Sequence, residues 1–217
     1  MPSEPTTLSR ASLPYSGRPE SFHSVMTDRI LSAGLELARE LGETGLTMRA
    51  IASRCGVSPT ELYRHFPSKE AILIAIRRHG TQQLGQWLCG DAEGQIDNLG
   101  ELCQQYFEFA CQRPWLYRIM FRSSGVGRDD PAVEEFVGRA KRLLVEDPDA
   151  STRSQHLWMA MHGLCLAATE REPGEDDGGV AVPLGPGFIA TYIQSVLRGL
   201  GTATRMSNIE QLRHEVF

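Results

Sequence analysis

Two short helices joined by a glycine turn are the feature that most constrains this sequence. The first is predicted over residues 47–54, where the apolar residues share one face and Thr47 precedes them as a natural N-cap. Gly56 ends it in a tight turn. The run Ser-Pro-Thr-Glu at 58–61 opens a second helix, with a capping box between its serine and glutamate and proline at the first helical position. Pro67 ends that helix, so the segment has helix-turn-helix geometry.

The rest of the chain also carries helical patterns. An apolar stripe through Ile30, Leu37 and Leu41 predicts an amphipathic helix that begins near residue 27 and ends at residues 42–45. No segment alternates as a half-buried strand does, so the sequence predicts an all-α fold of about nine helices. The further helices are predicted after the cap Ser68 and over residues 95–111, 114–121, 131–145, 152–169 and 188–200.

Composition marks the predicted domain boundaries. Residues 1–24 hold four prolines among several Ser and Thr, and they are predicted to be a flexible arm. The helix-turn-helix domain is assigned to residues 25–80, a second helical domain to residues 81–204, and a C-terminal tail to residues 205–217. Within the second domain, residues 172–187 hold five glycines, three prolines and four acidic residues, which predicts a loop.

The net charge of −5 is unevenly distributed along the chain. Residues 1–80 carry ten basic and eight acidic side chains, whereas residues 81–217 carry twelve and nineteen. Within residues 47–69, four basic side chains accompany one acidic side chain, a local charge of +3. An acidic protein does not coat nucleic acid through its overall charge. The basic segment nevertheless gives one end of the molecule an attraction for phosphate.

Several protein classes are excluded by patterns that the sequence lacks. No apolar run approaches the roughly 18 residues of a membrane-spanning helix, and the N-terminal residues lack the apolar segment of a signal peptide. The five cysteines are widely spaced, which predicts neither a disulfide framework nor a metal site. Glycine-rich phosphate loops and common hydrolase motifs do not occur. We therefore expect a cytoplasmic protein without a membrane partner, cofactor, metal or catalytic residues.

The helix-turn-helix segment resembles the DNA-binding domain of the TetR family of bacterial regulators. Residues 56–70, GVSPTELYRHFPSKE, follow the family pattern G-V-S-x-x-x-L-Y-x-H-F-x-x-K-E, and the resemblance extends over about residues 27–80. Thr60 stands where many members carry glycine, at a position near the base edges. The resemblance implies a three-helix DNA-binding domain followed by a helical domain for ligand binding and dimerisation.

The resemblance also implies roles for individual residues. Some would contact the DNA backbone, and others on the second short helix would face the major groove. Arg64 is the candidate for a bidentate contact to guanine, and Thr60 could meet a thymine methyl group. Judged from the residues alone, Tyr63 and His65 could instead pack inside the domain. The backbone set is Thr47, Tyr63, His65 and Lys69, the groove set is Pro59, Thr60 and Arg64, and Arg49 and Ser58 complete the predicted DNA-binding residues.

Two later segments resemble the ligand-binding domain of the same family. They are FEFA at 107–110 with PWLYRIMF at 114–121, and WMAMHG at 158–163, which is similar to the W-x-x-x-H-G signature of one subfamily. Aromatic and methionine side chains line apolar cavities for small ligands, although any one of them taken singly is more often ordinary core. The predicted ligand-binding residues are Phe107, Trp115, Tyr117, Met120, Phe121, Trp158 and His162.

Dimerisation is expected from the family resemblance and from DNA reading, because two-fold dimers read two half-sites. The last two helices carry more apolar surface than one face of a monomer needs. The predicted interface residues are Leu157, Met161, Leu164, Ile189, Tyr192, Ile193, Val196 and Leu197.

The hypothesis is therefore a homodimeric DNA-binding transcriptional regulator. It would be a repressor released from an inverted-repeat operator by a small apolar molecule. Two alternatives remain open. One is an architectural DNA-binding protein without ligand control, which binds with little sequence preference. The other is a small helical enzyme that uses His162 and Cys165 as a base and a nucleophile, for which the sequence supplies no oxyanion site.

Overall fold

The computed structural model of the chain describes residues 20–89, 96–122, 130–169 and 186–201. Nine α-helices and no strand lie within these ranges, which confirms the predicted fold class. Most of the predicted arm, most of the loop at 172–187 and the tail at 205–217 lie outside them. The helices are α1 Glu20–Gly45, α2 Met48–Cys55, α3 Pro59–His65, α4 Lys69–Cys89, α5 Leu99–Gln112, α6 Pro114–Arg122, α7 Pro131–Leu143, α8 Ala150–Thr169 and α9 Pro186–Gly199.

The first three helices share one apolar core. Ile30 of α1, Ile51 of α2 and Leu62 of α3 are all fully buried, and so is Leu46 in the connection between α1 and α2. Burial of a side chain of this size stabilises a fold by roughly 1.5–3 kcal/mol. These contacts fix α2 and α3 on the end of α1.

Side-chain caps begin α2 and α3 where the sequence predicts them. Thr47 Oγ1 accepts a hydrogen bond from the Ala50 backbone N–H at 3.1 Å, and Ser58 Oγ accepts one from the Glu61 backbone N–H at 3.1 Å. Gly56, which follows α2, has a φ of 66°. That left-handed conformation is favourable for glycine and costly for residues with a Cβ.

The helix α1 begins earlier than the sequence predicts and contains a kink. It starts at Glu20, inside the segment assigned to an arm, whereas the apolar stripe begins near residue 27. Val25 is 66 % exposed, so no apolar signature marks this part of the helix. Near the other end, Gly42 has φ 67° and ψ −174°, a non-helical conformation that interrupts α1 three residues before its end.

The helix α4 connects the N-terminal helices to the rest of the chain. Ile72 and Ile76 of α4 lie against Gly34 of α1, and further along α4 packs on α6, α7 and α5. A Cβ at Gly80 would lie only 2.6 Å from the Met120 sulfur of α6. Glycine at this position therefore allows α4 and α6 to approach closely.

The C-terminal helices enclose a second part of the core. α5, α7 and α8 pack on one another, and α9 lies against α5 and α8. Tyr106, Phe109, Tyr117 and Phe136 are fully buried at their centre. α5 begins at Leu99 rather than at the predicted residue 95, because Asn98 Oδ1 caps it by accepting from the backbone N–H of residue 101 at 2.9 Å.

Candidate nucleic-acid interface and buried aromatic network

The turn between α2 and α3 places most of the predicted groove-facing residues on one exposed surface. Ser58, Pro59 and Thr60 are exposed at the beginning of α3. Thr47 and Arg49 are exposed at the beginning of α2. The first helix of such a pair braces the second, whose N-terminal residues then reach base edges in the major groove.

Arg64 lies on the exposed face of α3. Its side chain is 65 % exposed, and its guanidinium lies 3.1 Å from a carboxylate oxygen of Glu61. A solvent-exposed pair of this kind contributes only about 0–1 kcal/mol. The guanidinium can therefore exchange this carboxylate for a base edge at little cost.

Arg54 belongs to the basic segment in the sequence but is paired with α1 in the structure. Its guanidinium lies 3.2 Å from Glu36 and 2.6 Å from Glu40. The hydrogen bond with Arg54 lowers the pKa of Glu40, and the two carboxylates raise the pKa of Arg54. Arg54 and Glu40 therefore stay charged, so this arginine joins α2 to α1 and the local excess of positive charge is smaller than the sequence count suggests.

Tyr63 and His65 differ in their positions. Tyr63 is 52 % exposed, which agrees with its predicted place on the outer surface. The His65 side chain is only 4 % exposed, with Nδ1 3.2 Å from Thr27 Oγ1 and Nε2 3.6 Å from Glu61 Oε1. The histidine therefore joins α3 to α1, as the packing alternative expects, and its predicted phosphate contact stays a prediction.

Lys69, the first residue of α4, has a partner that the sequence did not reveal. Its ammonium group donates a hydrogen bond to the Glu43 backbone oxygen at 2.8 Å, near the C-terminal end of α1. A cation is favourable at a helix C-terminus and unfavourable at a helix N-terminus. The backbone oxygen near the end of α1 therefore accounts for a lysine at the beginning of α4, and a phosphate contact is not needed to explain it.

Four side chains in the C-terminal helices form one hydrogen-bonded chain. Trp158 Nε1 donates to the Tyr106 hydroxyl at 3.2 Å, and the Tyr106 and Tyr117 hydroxyls lie 3.0 Å apart. The Tyr117 hydroxyl lies 2.6 Å from His162 Nδ1. Burial raises the pKa of both tyrosines, so both hydroxyls keep their protons. His162 Nδ1 can therefore be the final acceptor, which leaves each buried polar atom of the chain with a partner.

The same rings pack tightly against one another. Trp158 and His162 stack with centroids 4.8 Å apart and planes 13° apart, as their spacing of four residues on α8 predicts. The ring centroid of Phe121 lies 4.7 Å from those of both Tyr117 and His162, and the ring centroids of Tyr106 and Phe136 lie 4.8 Å apart. Four of the seven predicted ligand-binding residues therefore contact one another.

Six of the eight residues predicted for a dimer interface are buried within the single chain. A side chain that is buried in its own chain has little surface left for a second copy, and the predicted interface stays a prediction. Helical periodicity identifies an apolar stripe, but it does not show which chain covers the stripe. Tyr192 and Val196 are half-buried at the edge of α9. The six buried residues are Leu157, Met161, Leu164, Ile189, Ile193 and Leu197.

A groove of about 930 Å³ lies between α1 and α6, with α8 at one side. Trp115 and Phe121, two of the predicted ligand-binding residues, line it. Arg39 and Glu43 of α1 and Arg118 of α6 also line it. Sequence reasoning missed these three because a groove between helices distant in the chain leaves no periodic signal. Within the described ranges, no helix is long and apolar enough to cross a membrane and no three potential metal ligands cluster.

Substitution of His162 by asparagine should flatten the dependence of stability on pH. Burial lowers the pKa of His162, opposed by the charge of Asp130. As pH falls through about 6.5, the unfolded chain therefore binds more protons than the folded chain, and stability is lost. Asparagine Oδ1 can accept from Tyr117 but does not titrate. Urea unfolding at pH values of about 7.5 and 5.5 measures the free energy of unfolding, which should fall less in the variant than in the wild type. Equal losses would contradict the role of His162 in this pH dependence.

A family model described as bacterial regulatory proteins, tetR family, matches residues 30–76. This range contains most of α1, all of α2 and α3, and the beginning of α4. The HTH-type transcriptional regulator UidR of Escherichia coli is 48 % identical over 48 residues, which are 22 % of this chain and 24 % of UidR. The chain thus aligns with only about a quarter of that relative.

Two further comparisons extend over most of the chain. The uncharacterised HTH-type transcriptional regulator YobS of Bacillus subtilis is 24 % identical over 159 residues, 68 % of this chain and 82 % of YobS. A crystal structure of a TetR variant from Acinetobacter baumannii in complex with minocycline superimposes with a TM-score of 0.56 and 20 % identity. That alignment covers 79 % of this chain and 94 % of the other. It shows a shared fold for both the N-terminal and the C-terminal helices.

Proposed function

Because this chain belongs to the TetR family of bacterial transcriptional regulators, we propose that it is a cytoplasmic, homodimeric repressor of an inverted-repeat operator. A small molecule with a largely apolar body releases it from DNA. The observation that carries the proposal is the exposed surface of α2 and α3. Thr47, Arg49, Thr60 and Arg64 are all exposed there, while the apolar residues of the same helices are buried.

A dimer is part of the proposal because one recognition helix is short. α3 has 7 residues, so at a rise of about 1.5 Å per residue it is about 10 Å long. A helix of this length reaches only a few base pairs. Two copies related by a two-fold axis read two half-sites on one face of the duplex.

The exposed face of α8 is our candidate for the contact between copies. His156, Met159 and Gly163 are all exposed and lie on one side of the helix, at a spacing of three and four residues. Met159 is 54 % exposed although it is apolar. A Cβ at Gly163 would meet nothing within 4 Å, so this position leaves room for a second helix to approach.

Release from DNA is proposed to follow a population shift. A ligand that prefers a conformation with a different spacing of the two recognition helices lowers operator affinity by its differential affinity for the two conformations. The proposal includes no enzymatic activity. Burial raises the pKa of the Cys165 thiol, which keeps it protonated, and His162 Nδ1 is engaged by Tyr117.

Selection of bound fragments from a random DNA pool tests the proposed function. We expect an inverted repeat with two matching half-sites, and a footprint confined to it at physiological salt. Recovery of unrelated sequences, with binding that salt abolishes uniformly, would instead support an architectural DNA-binding protein.

Substitution of Arg64 by alanine should relax base preference at one position in each half-site. A bidentate contact to guanine supplies about 1–3 kcal/mol of discrimination, so the preferred base should lose about tenfold or more of its advantage. The matched control is Arg142→Ala on α7, an exposed arginine remote from α3, which should leave base preference unchanged. Competition binding to operators altered at single positions measures both. A uniform loss of affinity across all bases would show that Arg64 contacts phosphate only.

A further inference from the structure

One oxygen of a carboxylate that lines the groove between α1 and α6 lacks a hydrogen-bond donor. Glu43 lines the groove, and within the described part of the chain its Oε2 is buried without a hydrogen-bond partner. A buried carboxylate oxygen that has lost water and gained no donor is destabilising. A ligand that donates N–H groups and carries a positive charge would remove this deficit.

The other charged residues of the groove already have surroundings that suit them. Glu40 is held by Arg54 at 2.6 Å. Arg118 donates to the Thr169 backbone oxygen at 2.9 Å, and Arg39 is exposed to water. The lining charge that gains most from an added ligand is therefore the Glu43 carboxylate.

The remaining groove surface suits an apolar or aromatic body. Trp115 and Leu166 are half-buried and supply most of its accessible apolar surface, whereas Phe121 and Ile119 line it with only 6 % and 3 % of their surface exposed. Aromatic faces also attract cations, and indole does so most strongly among protein side chains. The groove thus combines one carboxylate with an aromatic wall.

We propose that this groove is a regulatory site for small organic amines, whose ammonium group binds Glu43 and whose apolar body packs on Trp115 and Phe121. Phe121 belongs both to this groove and to the packed rings around Tyr106. The polar atoms of those rings already hydrogen-bond with one another, so the unpartnered polar atom of the site is the Glu43 oxygen.

The position of Glu43 connects this site to the DNA-binding surface. It follows Gly42, where α1 is kinked, and its backbone oxygen accepts the hydrogen bond from Lys69. Lys69 begins α4 shortly after α3 ends. A ligand in the groove contacts α1 on one side and α6 and α8 on the other, so it alters how the DNA-binding helices are held. This consequence rests on the proposed function, whereas binding of the amine does not.

Calorimetric titration of the full chain without DNA tests the site. The probes are tryptamine, tryptophol and indolepropionate, which share the indole body and differ in carrying a cationic, neutral or anionic head group. We expect tryptamine to bind at least about tenfold more tightly than either analogue, since a charge-assisted hydrogen bond distinguishes them. Equal binding of tryptophol, stronger binding of indolepropionate, or no binding of tryptamine would overturn the proposal.

Two isosteric variants locate the binding site. Glu43→Gln should weaken tryptamine binding by about tenfold or more, whereas Glu146→Gln, at an exposed glutamate beyond α7, should leave it unchanged. Circular dichroism and thermal unfolding establish that both variants are folded. Undiminished affinity in Glu43→Gln would overturn the assignment.

Measurements of operator binding distinguish a failure of the amine site from a failure of the proposed DNA-binding function. Saturating tryptamine should weaken binding of the wild-type chain to its selected operator, and it should do so much less for Glu43→Gln. If the chain binds tryptamine through Glu43 but selects no DNA sequence, the proposed function fails while the amine site stands. If operator binding is specific and tryptamine does not bind, the amine site fails alone.

Discussion

Replacing Gly163 by arginine should leave each chain folded and convert the proposed dimer to monomers. Gly163 is exposed on α8 and a Cβ there meets nothing within 4 Å, so the single chain has room for the new side chain. Removing a glycine from a helix interior also favours helix formation by up to about 1 kcal/mol. Between two copies of α8, however, the guanidinium would be desolvated without a partner, which costs several kcal/mol or forces the helices apart.

Operator binding should weaken with the loss of the dimer, by about a hundredfold or more, because each monomer reads only one half-site. Sedimentation and gel-shift titrations over the same concentration range measure the two effects together. Val145→Arg is the control, at a position that is 81 % exposed and lies outside α8. A Gly163→Arg chain that remains dimeric would place the interface on another face.

Replacing Tyr106 by phenylalanine should lower the free energy of unfolding by about 1–3 kcal/mol. The substitution keeps the aromatic ring, so its packing against Phe136, with ring centroids 4.8 Å apart, is unchanged. The lost hydroxyl accepts from Trp158 Nε1 and contacts the Tyr117 hydroxyl, and both partners lie in the core. Leaving the indole N–H buried without an acceptor accounts for most of the expected loss.

Urea unfolding with a matched substitution at an exposed tyrosine measures this loss. Tyr63→Phe, at a side chain that is 52 % exposed, should change stability by less than about 0.5 kcal/mol. The pair Tyr106→Phe and Tyr117→Phe should be non-additive, because both remove parts of one hydrogen-bonded chain. An unchanged or increased stability of Tyr106→Phe would show that the buried hydroxyl contributes nothing net.

Local patterns account for the caps, the turn and the exposed position that the sequence predicted at the candidate interface. The caps Thr47 and Ser58 act within three residues, and Gly56 needs only its own backbone conformation. The exposed position of Arg64 follows from the buried position of Leu62 on the same short helix. Each of these features depends on residues close together in the chain, so each can be predicted from the sequence without a tertiary structure.

Contacts between distant residues account for the parts that the sequence missed. His65 turns inward because Thr27, 38 residues earlier, offers a hydroxyl at 3.2 Å. Lys69 donates a hydrogen bond to the Glu43 backbone oxygen, and Arg54 donates to two carboxylates on α1. None of these pairings follows from charge counts or from helical spacing, because the partners lie on other helices.

The glycine turn and its two capped helices were determined by the sequence alone, since capping, turn geometry and helical periodicity operate over one or two turns of chain. Only the tertiary structure decided which apolar stripe of α8 faces the core and that four of the predicted ligand-binding residues pack against one another. It also decided that a groove opens between α1 and α6. Those outcomes depend on how helices far apart in the chain meet, and the same amphipathic pattern is compatible with a core, a pocket or a partner.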